Sequence, residues 1–137
     1  MLGEVLGGGE TIELISDLGG GKTTFVRGIA QGIGSADHVS SPSFTINNQY
    51  GAASLRLYHY DFYRLHDPGL IAAEMAEVLH DKKNIVVIEW GGLVDTVLPD
   101  KRLRIKIVPT AEMSRQFSFE YSTQYGTLLN ALRRRTV

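Results

Sequence analysis

The chain has 137 residues, of which 43% are hydrophobic and 21% charged, as is usual for a globular protein. A formal net charge of −1 gives no general attraction to nucleic acid, and the lack of cysteine excludes disulfides, thiolate metal sites and a cysteine nucleophile. No apolar run approaches a membrane span, and no basic segment precedes an apolar one at the amino terminus. We expect a single cytoplasmic domain over residues 1–137, with no membrane association.

Strands and helices alternate along the first half of the chain. The alternating pattern after Gly51 is the clearest, and it places Asp61 in the middle of a strand between aromatic residues. The predicted elements are strand 11–15, helix 23–33, strand 43–50, strand 55–65 and helix 70–79.

Strands cluster in the second half. The β-branched run before Trp90 is typical of a central strand that is buried on both faces. The next strand alternates, with Arg102 among the residues expected on its exposed face. The predicted elements are strand 84–90, a connection over 91–98, strand 102–108, a hairpin partner over 116–121 and helix 125–135. This order indicates an α/β fold with a mixed sheet.

Residues 16–24, Ser-Asp-Leu-Gly-Gly-Gly-Lys-Thr-Thr, lie between a strand and a helix, which is the setting of a Walker A phosphate-binding loop. The glycines can turn successive N–H groups inward, Lys22 can reach the β- and γ-phosphates, and the Thr23 hydroxyl can bind Mg²⁺. Ser16 departs from the usual first glycine. The loop predicts a nucleoside triphosphate site; the alternative is a glycine-rich turn with an exposed lysine.

Two acidic residues are candidates to complete such a site. Glu89 follows an apolar strand, and ligands in open α/β sheets bind at the carboxyl ends of strands. Asp61, if buried, would need a cation or a metal as partner. Either acid could bind Mg²⁺ or orient the attacking water, with Glu89 the first choice as metal ligand. Glu89 could instead face solvent, and Asp61 could pair with Arg64 for structural reasons.

The residues alone allow more than one role for three neighbouring features. His59 shares the predicted strand face of Asp61, where a lone histidine is more often a hydrogen-bonding partner than a ligand or base. The loop with Ser41, Ser43 and Thr45 could sense the γ-phosphate or could be a simple proline turn. Trp90, the only tryptophan, could pack in the core, cover the site or meet a partner.

Three parts of the chain form a set: the loop and helix start at 17–28, Ser-Pro-Ser-Phe-Thr at 41–45 with Tyr-His-Tyr-Asp-Phe-Tyr-Arg-Leu at 58–65, and Val-Ile-Glu-Trp at 87–90. Together they resemble the TsaE family of small P-loop ATPases. The likeness fades after Trp90. Ser16, Ser43 and the pair Gly91-Gly92 depart from the family pattern.

The resemblance implies a P-loop NTPase-like three-layer α/β fold with a mixed, mainly parallel central sheet plus antiparallel strands. It implies an ATP- and Mg²⁺-binding subunit that acts with a TsaB–TsaD pair in threonylcarbamoylation of adenosine 37 in tRNA, meeting the tRNA only through that complex. Its hydrolysis would be weak without the partners. Lys22, Asp61 and Glu89 would be catalytic, and Thr23, Glu89 and Asp61 would hold the metal. The expected nucleotide-binding residues are Asp17, Leu18, Gly19, Gly20, Gly21, Lys22, Thr23, Thr24 and Trp90, and the expected switch residues are Ser41, Ser43 and Thr45.

Other activities remain open at this level. A small-molecule kinase would share the phosphate loop, but it usually carries an arginine-bearing lid, and no arginine-rich insertion occurs over residues 66–100. A nucleotide-responsive binding module with little turnover would use the same residues. Direct RNA binding is disfavoured by the net charge and by the lack of a basic stripe.

Overall fold

The computed structural model describes residues 1–17, 21–42 and 45–136, and side chains up to Arg135. Its strands and α-helices are β1 (Thr11–Ile15), α1 (Lys22–Gly32), β2 (Asn47–Gly51), β3 (Arg56–Asp61), α2 (Gly69–His80), β4 (Asn84–Glu89), β5 (Leu103–Ala111), β6 (Ser114–Glu120) and α3 (Gly126–Thr136). Short 3₁₀ turns cover Leu2–Val5, Gly91–Val94 and Thr123–Tyr125. No helix in these ranges combines the length and apolar character needed to cross a bilayer.

The described strands form one mixed sheet in the order β2-β3-β4-β1-β5-β6. Strands β3, β4, β1 and β5 run parallel, whereas β2 and β6 pair antiparallel with β3 and β5 at the two sides. The β5–β6 pair is the hairpin expected from the sequence. Because β4 lies between β3 and β1 and all six of its residues are buried, the prediction of a central strand is confirmed.

Helices cover both faces of the sheet, so the predicted three-layer arrangement is confirmed. On one face, Val26 and Ile29 of α1 and Leu129 of α3 pack against sheet residues such as Ile12 and Val87. On the other face, the buried stripe of α2 packs on the neighbouring strands and on the segment after β4; its cluster contains Tyr60, Phe62, Met75, Val78, Val86, Ile88, Val94 and Leu98. Each helix thus buries one apolar stripe on the sheet.

The amino-terminal 3₁₀ turn packs backbone to backbone against the end of α1. A Cβ atom on Gly32 would lie 2.7 Å from the Cα of Gly3, closer than side-chain carbons approach other atoms. This contact fixes the carboxyl end of α1, while the other end of the helix points toward the carboxyl edge of the sheet.

Two strand predictions were too long. The strand predicted over 55–65 ends at Asp61, because its parallel partner β4 ends at Glu89 and the chain then turns at Tyr63. Asp61 is therefore a strand-end residue, not a mid-strand one. The strand predicted over 43–50 begins at Asn47; residues 43 and 44 lie outside the described residues.

Arg102 is buried, contrary to the expectation that it lies on an exposed face. It is 7% exposed and precedes β5, with its Nε 3.2 Å from Glu13 Oε2 and its Nη2 2.7 Å from Asp95 Oδ1. Arg104 also contacts Glu13, at 3.2 Å. Two carboxylates thus compensate the buried guanidinium, which the alternation pattern could not show.

Candidate functional site

The start of α1 has the backbone geometry of an anion site. Gly21 is the residue before the helix and has a left-handed conformation, φ 96°, which glycine adopts without steric cost. Its carbonyl accepts the N–H of Phe25 at 3.0 Å, so the first helical turn is closed behind it. The first N–H groups of a helix have no partner within the helix, and together with the helix dipole they favour an anion. The predicted loop residues Leu18, Gly19 and Gly20 lie outside the described residues.

Lys22 is a buried cation beside this helix start. It is 8% exposed, and its Nζ donates to the carbonyl oxygens of Ser16 at 3.0 Å and Asp17 at 3.3 Å. The same atom lies 3.5 Å from Glu89 Oε1. The alternative of an exposed lysine on a simple turn does not fit this burial. An ammonium group that is withdrawn from water and held by carbonyls and one carboxylate is placed to meet an anion.

Glu89, the last residue of β4, is also buried and is only 3% exposed. Its Oε2 lies 2.7 Å from Nε2 of His59, which is fully buried. The alternative of a Glu89 that faces solvent is therefore wrong. Lys22 and His59 hold its two oxygens from different sides.

Asp61 lies at the same edge of the sheet. It is the register partner of Glu89 in the parallel β3–β4 pair, so the two acids share a face of the sheet. Asp61 is half-buried, and its Oδ1 accepts the N–H of Tyr63 at 3.0 Å. The structure thus brings together Lys22, Glu89 and Asp61, all three predicted as catalytic residues.

Trp90 covers part of this edge and remains 43% exposed. Its backbone is left-handed, φ 58°, which is uncommon for a bulky residue and turns the chain sharply after Glu89. The ring centroid lies 5.5 Å from Lys22 Nζ and 5.1 Å from the Tyr63 ring. Trp90 is therefore a neighbour of the buried lysine and not a core residue.

The loop that was predicted as a switch joins the site through its carboxyl end. The Ile46 carbonyl, one residue after Thr45, accepts the Asp61 N–H at 2.8 Å. The Thr45 hydroxyl donates to Asn47 O at 3.2 Å and contacts Asn48 Oδ1 at 3.1 Å. Ser41 is exposed, and Ser43 lies outside the described residues.

The two threonines on the first turn of α1, Thr23 and Thr24, differ in burial and in neighbours. Thr23 is half-buried beside Lys22, and Thr24 is exposed. A cavity of about 270 Å³ opens next to Thr24, and its lining residues are Gly21, Thr24, Phe25, Ile107, Glu112, Met113, Arg115 and Phe117. It lies on the β5–β6 side of the helix start.

The donor atoms at this edge suit a hard divalent cation. The Thr23 hydroxyl and the carboxylates of Asp61 and Glu89 are oxygen donors of the kind Mg²⁺ prefers. In the part of the chain that the structure describes, no three acidic or histidine side chains form a ready metal cluster. Mg²⁺ usually takes one or two protein ligands and completes its shell with water and phosphate oxygens, so a nucleotide-dependent metal site fits these residues.

Sequence reasoning left His59 outside the predicted site. Its alternation with Asp61 placed the two residues on one face, but only the register of β3 on β4 brings the imidazole to Glu89. A signal was present: a histidine two residues before an acid on an otherwise apolar strand face.

This arrangement defines the class of protein. The central strand β1 of a mainly parallel sheet leads to the start of a helix, helices cover both faces of that sheet, and an acid ends the neighbouring strand β4. These features define the P-loop NTPase-like fold. The family model "Threonylcarbamoyl adenosine biosynthesis protein TsaE" matches residues 1–117, well past Trp90. The chain belongs to the TsaE family.

Individual relatives agree with that assignment. The tRNA threonylcarbamoyladenosine biosynthesis protein TsaE of Bacillus subtilis is 38% identical over 81% of this chain and 69% of its own length. TsaE of Haemophilus influenzae is 36% identical over 70% of this chain, and TsaE of Treponema pallidum is 33% identical over 86%. The matches cover 61% and 87% of those two proteins.

A solved structure shows the same fold. The crystal structure of Bacillus subtilis YdiB superposes with a TM-score of 0.75 and 33% identity, over 99% of this chain and 85% of that one. The structural likeness therefore includes the last third of the chain, where the sequence motifs give out.

Proposed function

We propose that this chain is an ATP-binding, Mg²⁺-dependent ATPase that supports threonylcarbamoylation of adenosine 37 in tRNA together with a TsaB–TsaD pair. The observation that carries the proposal is the buried Lys22 at the start of α1, held 3.5 Å from the strand-end carboxylate of Glu89. Membership of the TsaE family supports the pathway, since its relatives are named for biosynthesis of this nucleoside.

The phosphates lie at the amino end of α1 in this proposal. The loop motif predicts that backbone N–H groups from Gly19 to Thr24 would bind them, with Gly19 and Gly20 outside the described residues. The Lys22 ammonium, which donates to the Ser16 and Asp17 carbonyls, would turn to the β- and γ-phosphates. The nucleoside extends toward the cavity next to Thr24, where Phe25 and Phe117 offer aromatic faces with ring centroids 5.5 Å apart.

The acids at the sheet edge supply the remaining chemistry. When bound, Mg²⁺ would neutralise charge that develops on the β- and γ-phosphates. Thr23, Glu89 and Asp61 would hold it, directly or through water. One of the two acids orients the attacking water, which needs a fixed acceptor on the side of the γ-phosphate away from the leaving group. Both lie at the carboxyl edge of adjacent strands, as that role demands.

The exposed surface around the site fits an ATPase that a partner completes. Trp90 and Tyr63 are 43% and 48% exposed, their ring centroids lie 5.1 Å apart, and the Trp90 centroid lies 5.5 Å from the buried Lys22 Nζ. A protein that covers these side chains would exclude water from the site and strengthen its electrostatics. The switch residues Ser41, Ser43 and Thr45 would report the state of the γ-phosphate to that partner, because the Ile46 carbonyl links their loop to Asp61.

The test is steady-state ATP hydrolysis by the pure chain with and without the TsaB–TsaD pair of the same organism, in Mg²⁺ and in EDTA. We expect weak turnover alone, strong stimulation by the pair, and loss of turnover in EDTA. Lys22→Ala should abolish nucleotide binding measured by calorimetry, whereas the exposed Lys83→Ala should not change it.

Two results would contradict the proposal. Unchanged nucleotide affinity in Lys22→Ala would contradict the phosphate site. Absence of stimulation by a pair shown to be folded and active would contradict the partnership and favour a stand-alone binding module or a kinase.

A further inference from the structure

A buried histidine contacts the carboxylate of Glu89 from the interior of the protein. His59 has no exposed surface, and its Nε2 lies 2.7 Å from Glu89 Oε2. The other oxygen of that carboxylate, Oε1, lies 3.5 Å from Lys22 Nζ. The two oxygens of Glu89 therefore have separate partners.

We propose that His59 is a positioning residue for turnover: it fixes the Glu89 carboxylate so that Oε1 faces the phosphate end of the site. This inference rests on the proposed ATPase function. His59 itself need not touch nucleotide or metal, since it acts through the Glu89 carboxylate, which contacts His59 with one oxygen and Lys22 with the other.

The register of the sheet explains how the imidazole reaches this place. His59 pairs with Val87 in the β3–β4 ladder, two residues before Glu89, and so lies on the same face one step back from the carboxyl edge. The ring then spans diagonally from β3 to the last side chain of β4. On the same face of β3, Asp61 lies opposite Glu89 at the open edge of the sheet, and Leu57 lies opposite Ile85, four residues before Glu89.

The hydrogen-bonding state of the ring follows from its neighbours. A carboxylate can only accept, so Nε2 must carry a proton to bond to Glu89. Nδ1 is fully buried and has no hydrogen-bond partner among the described residues. Within the described ranges, the polar contact of the ring is therefore the one with Glu89, and its second nitrogen has no partner there.

That unpaired nitrogen argues against a purely structural role. A buried polar atom without a partner destabilises the fold, and an aliphatic side chain would fill the same apolar surroundings without this cost. The neighbouring Leu57, two residues earlier on the same face, is such a side chain and is equally buried. The feature that a histidine adds at position 59 is the bond to Glu89.

The bond matters when Lys22 moves. In the structure Lys22 helps to hold Oε1, but an ammonium that turns toward a phosphate no longer does so. His59 then remains as the contact that keeps the carboxylate in one rotamer, with Oε1 directed at the site. Side chains that orient a metal ligand or catalytic carboxylate in this way typically change activity about 10–100-fold when removed.

The experiment compares His59→Leu with His59→Gln under the conditions in which the natural chain hydrolyses ATP. The glutamine amide can still donate to Glu89, whereas leucine cannot. We expect kcat to fall about 10–100-fold in His59→Leu, with KM nearly unchanged, and to recover substantially in His59→Gln. Leu57→Val is the matched control, because it alters the same strand face without reaching Glu89; its kcat should stay near that of the natural chain.

A second measurement reads the bond without activity. In ¹⁵N-histidine NMR spectra, His59 should show a protonated Nε2, and Glu89→Ala should shift that signal strongly while Glu77→Ala, on exposed α2 surface, does not. A proton on Nδ1 alone, with Nε2 bare, would overturn the assignment.

The possible failures are distinguishable. If the natural chain is active and His59→Leu matches it, or if leucine and glutamine lose activity equally, the positioning role is wrong and the ATPase proposal stands. If the natural chain neither binds nor hydrolyses ATP with its partners present, both proposals are wrong.

Discussion

Asp61 and Glu89 are register partners on adjacent parallel strands, each at the last residue of its strand. Their surroundings differ: Glu89 is 3% exposed and contacts His59 and Lys22, whereas Asp61 is half-buried at the opening of the site. The two carboxylates therefore share a place in the sheet but not an environment, which suits a division of roles between them.

Asp61→Asn should lose most turnover while the fold is kept. The substitution preserves the shape of the side chain and an acceptor for the Tyr63 N–H but removes the negative charge. Metal binding or orientation of the attacking water is therefore weakened. We expect a fall in kcat of about 100-fold or more and a melting temperature close to that of the natural chain. Hydrolysis assays and circular dichroism would measure the two effects, with the exposed Glu77→Gln as control. A collapsed fold with Asp61→Asn would instead show a structural role.

Trp90 should report nucleotide binding by its fluorescence. It is the only tryptophan, and its ring centroid lies 5.5 Å from the Lys22 ammonium, which leaves the ring when it turns to a phosphate. We expect a change in emission intensity on addition of ATP that saturates with the affinity found by calorimetry. Lys22→Ala should abolish the response. A signal that persists in that variant would mean that Trp90 senses the nucleotide by another route.

Tyr60→Phe should be neutral or stabilising near neutral pH. The ring is fully buried between Tyr58 and Phe62, and its hydroxyl has no partner among the described residues. Deleting an unsatisfied hydroxyl relieves a penalty of about 1 kcal/mol or more. Urea unfolding of the two proteins at pH 7 would measure the difference. A clear loss of stability would show that the hydroxyl is bonded after all.

The same substitution should change the stability of the protein in alkali. Burial, with smaller effects from Glu74 and Tyr58, raises the pKa of Tyr60 well above its ordinary value of 10.0. The folded state therefore disfavours the phenolate, and this contribution to stability is complete below pH 10 and is lost as pH rises above it. Melting temperatures between pH 8 and 11 should fall less steeply for Tyr60→Phe than for the natural chain. Parallel curves would contradict the raised pKa.

Arg102→Met should destabilise the fold strongly. It would leave Glu13, whose carboxylate Arg102 contacts at 3.2 Å, with Arg104 as its remaining partner. Removing one member of a buried charge pair costs about 3 kcal/mol or more. Chemical unfolding would measure the loss, with the exposed neighbour Lys101→Met as control. The double variant Glu13→Gln with Arg102→Met should recover part of the stability, since position 13 then carries no buried charge, while Asp95 is exposed to solvent and Arg104 keeps Glu120 as a partner.

Local sequence patterns were sufficient to predict the fold class and the candidate site. Strand and helix periodicity follows from local geometry, so β1, α2, β4 and the β5–β6 hairpin were predicted to within a few residues. The site residues were predicted because phosphate binding needs glycines, a lysine and a hydroxyl in one short loop, and because acids at strand ends meet at one edge of a parallel sheet.

Other features depend on pairing between segments that are distant in sequence. The end of β3 at Asp61 depends on where β4 stops, and the buried state of Arg102 depends on Glu13, which is 89 residues away in sequence. The contact of His59 with Glu89 exists only because β3 lies beside β4 in one register. Local propensity carries no information on register or on charge compensation across the fold, and these set the geometry of the site.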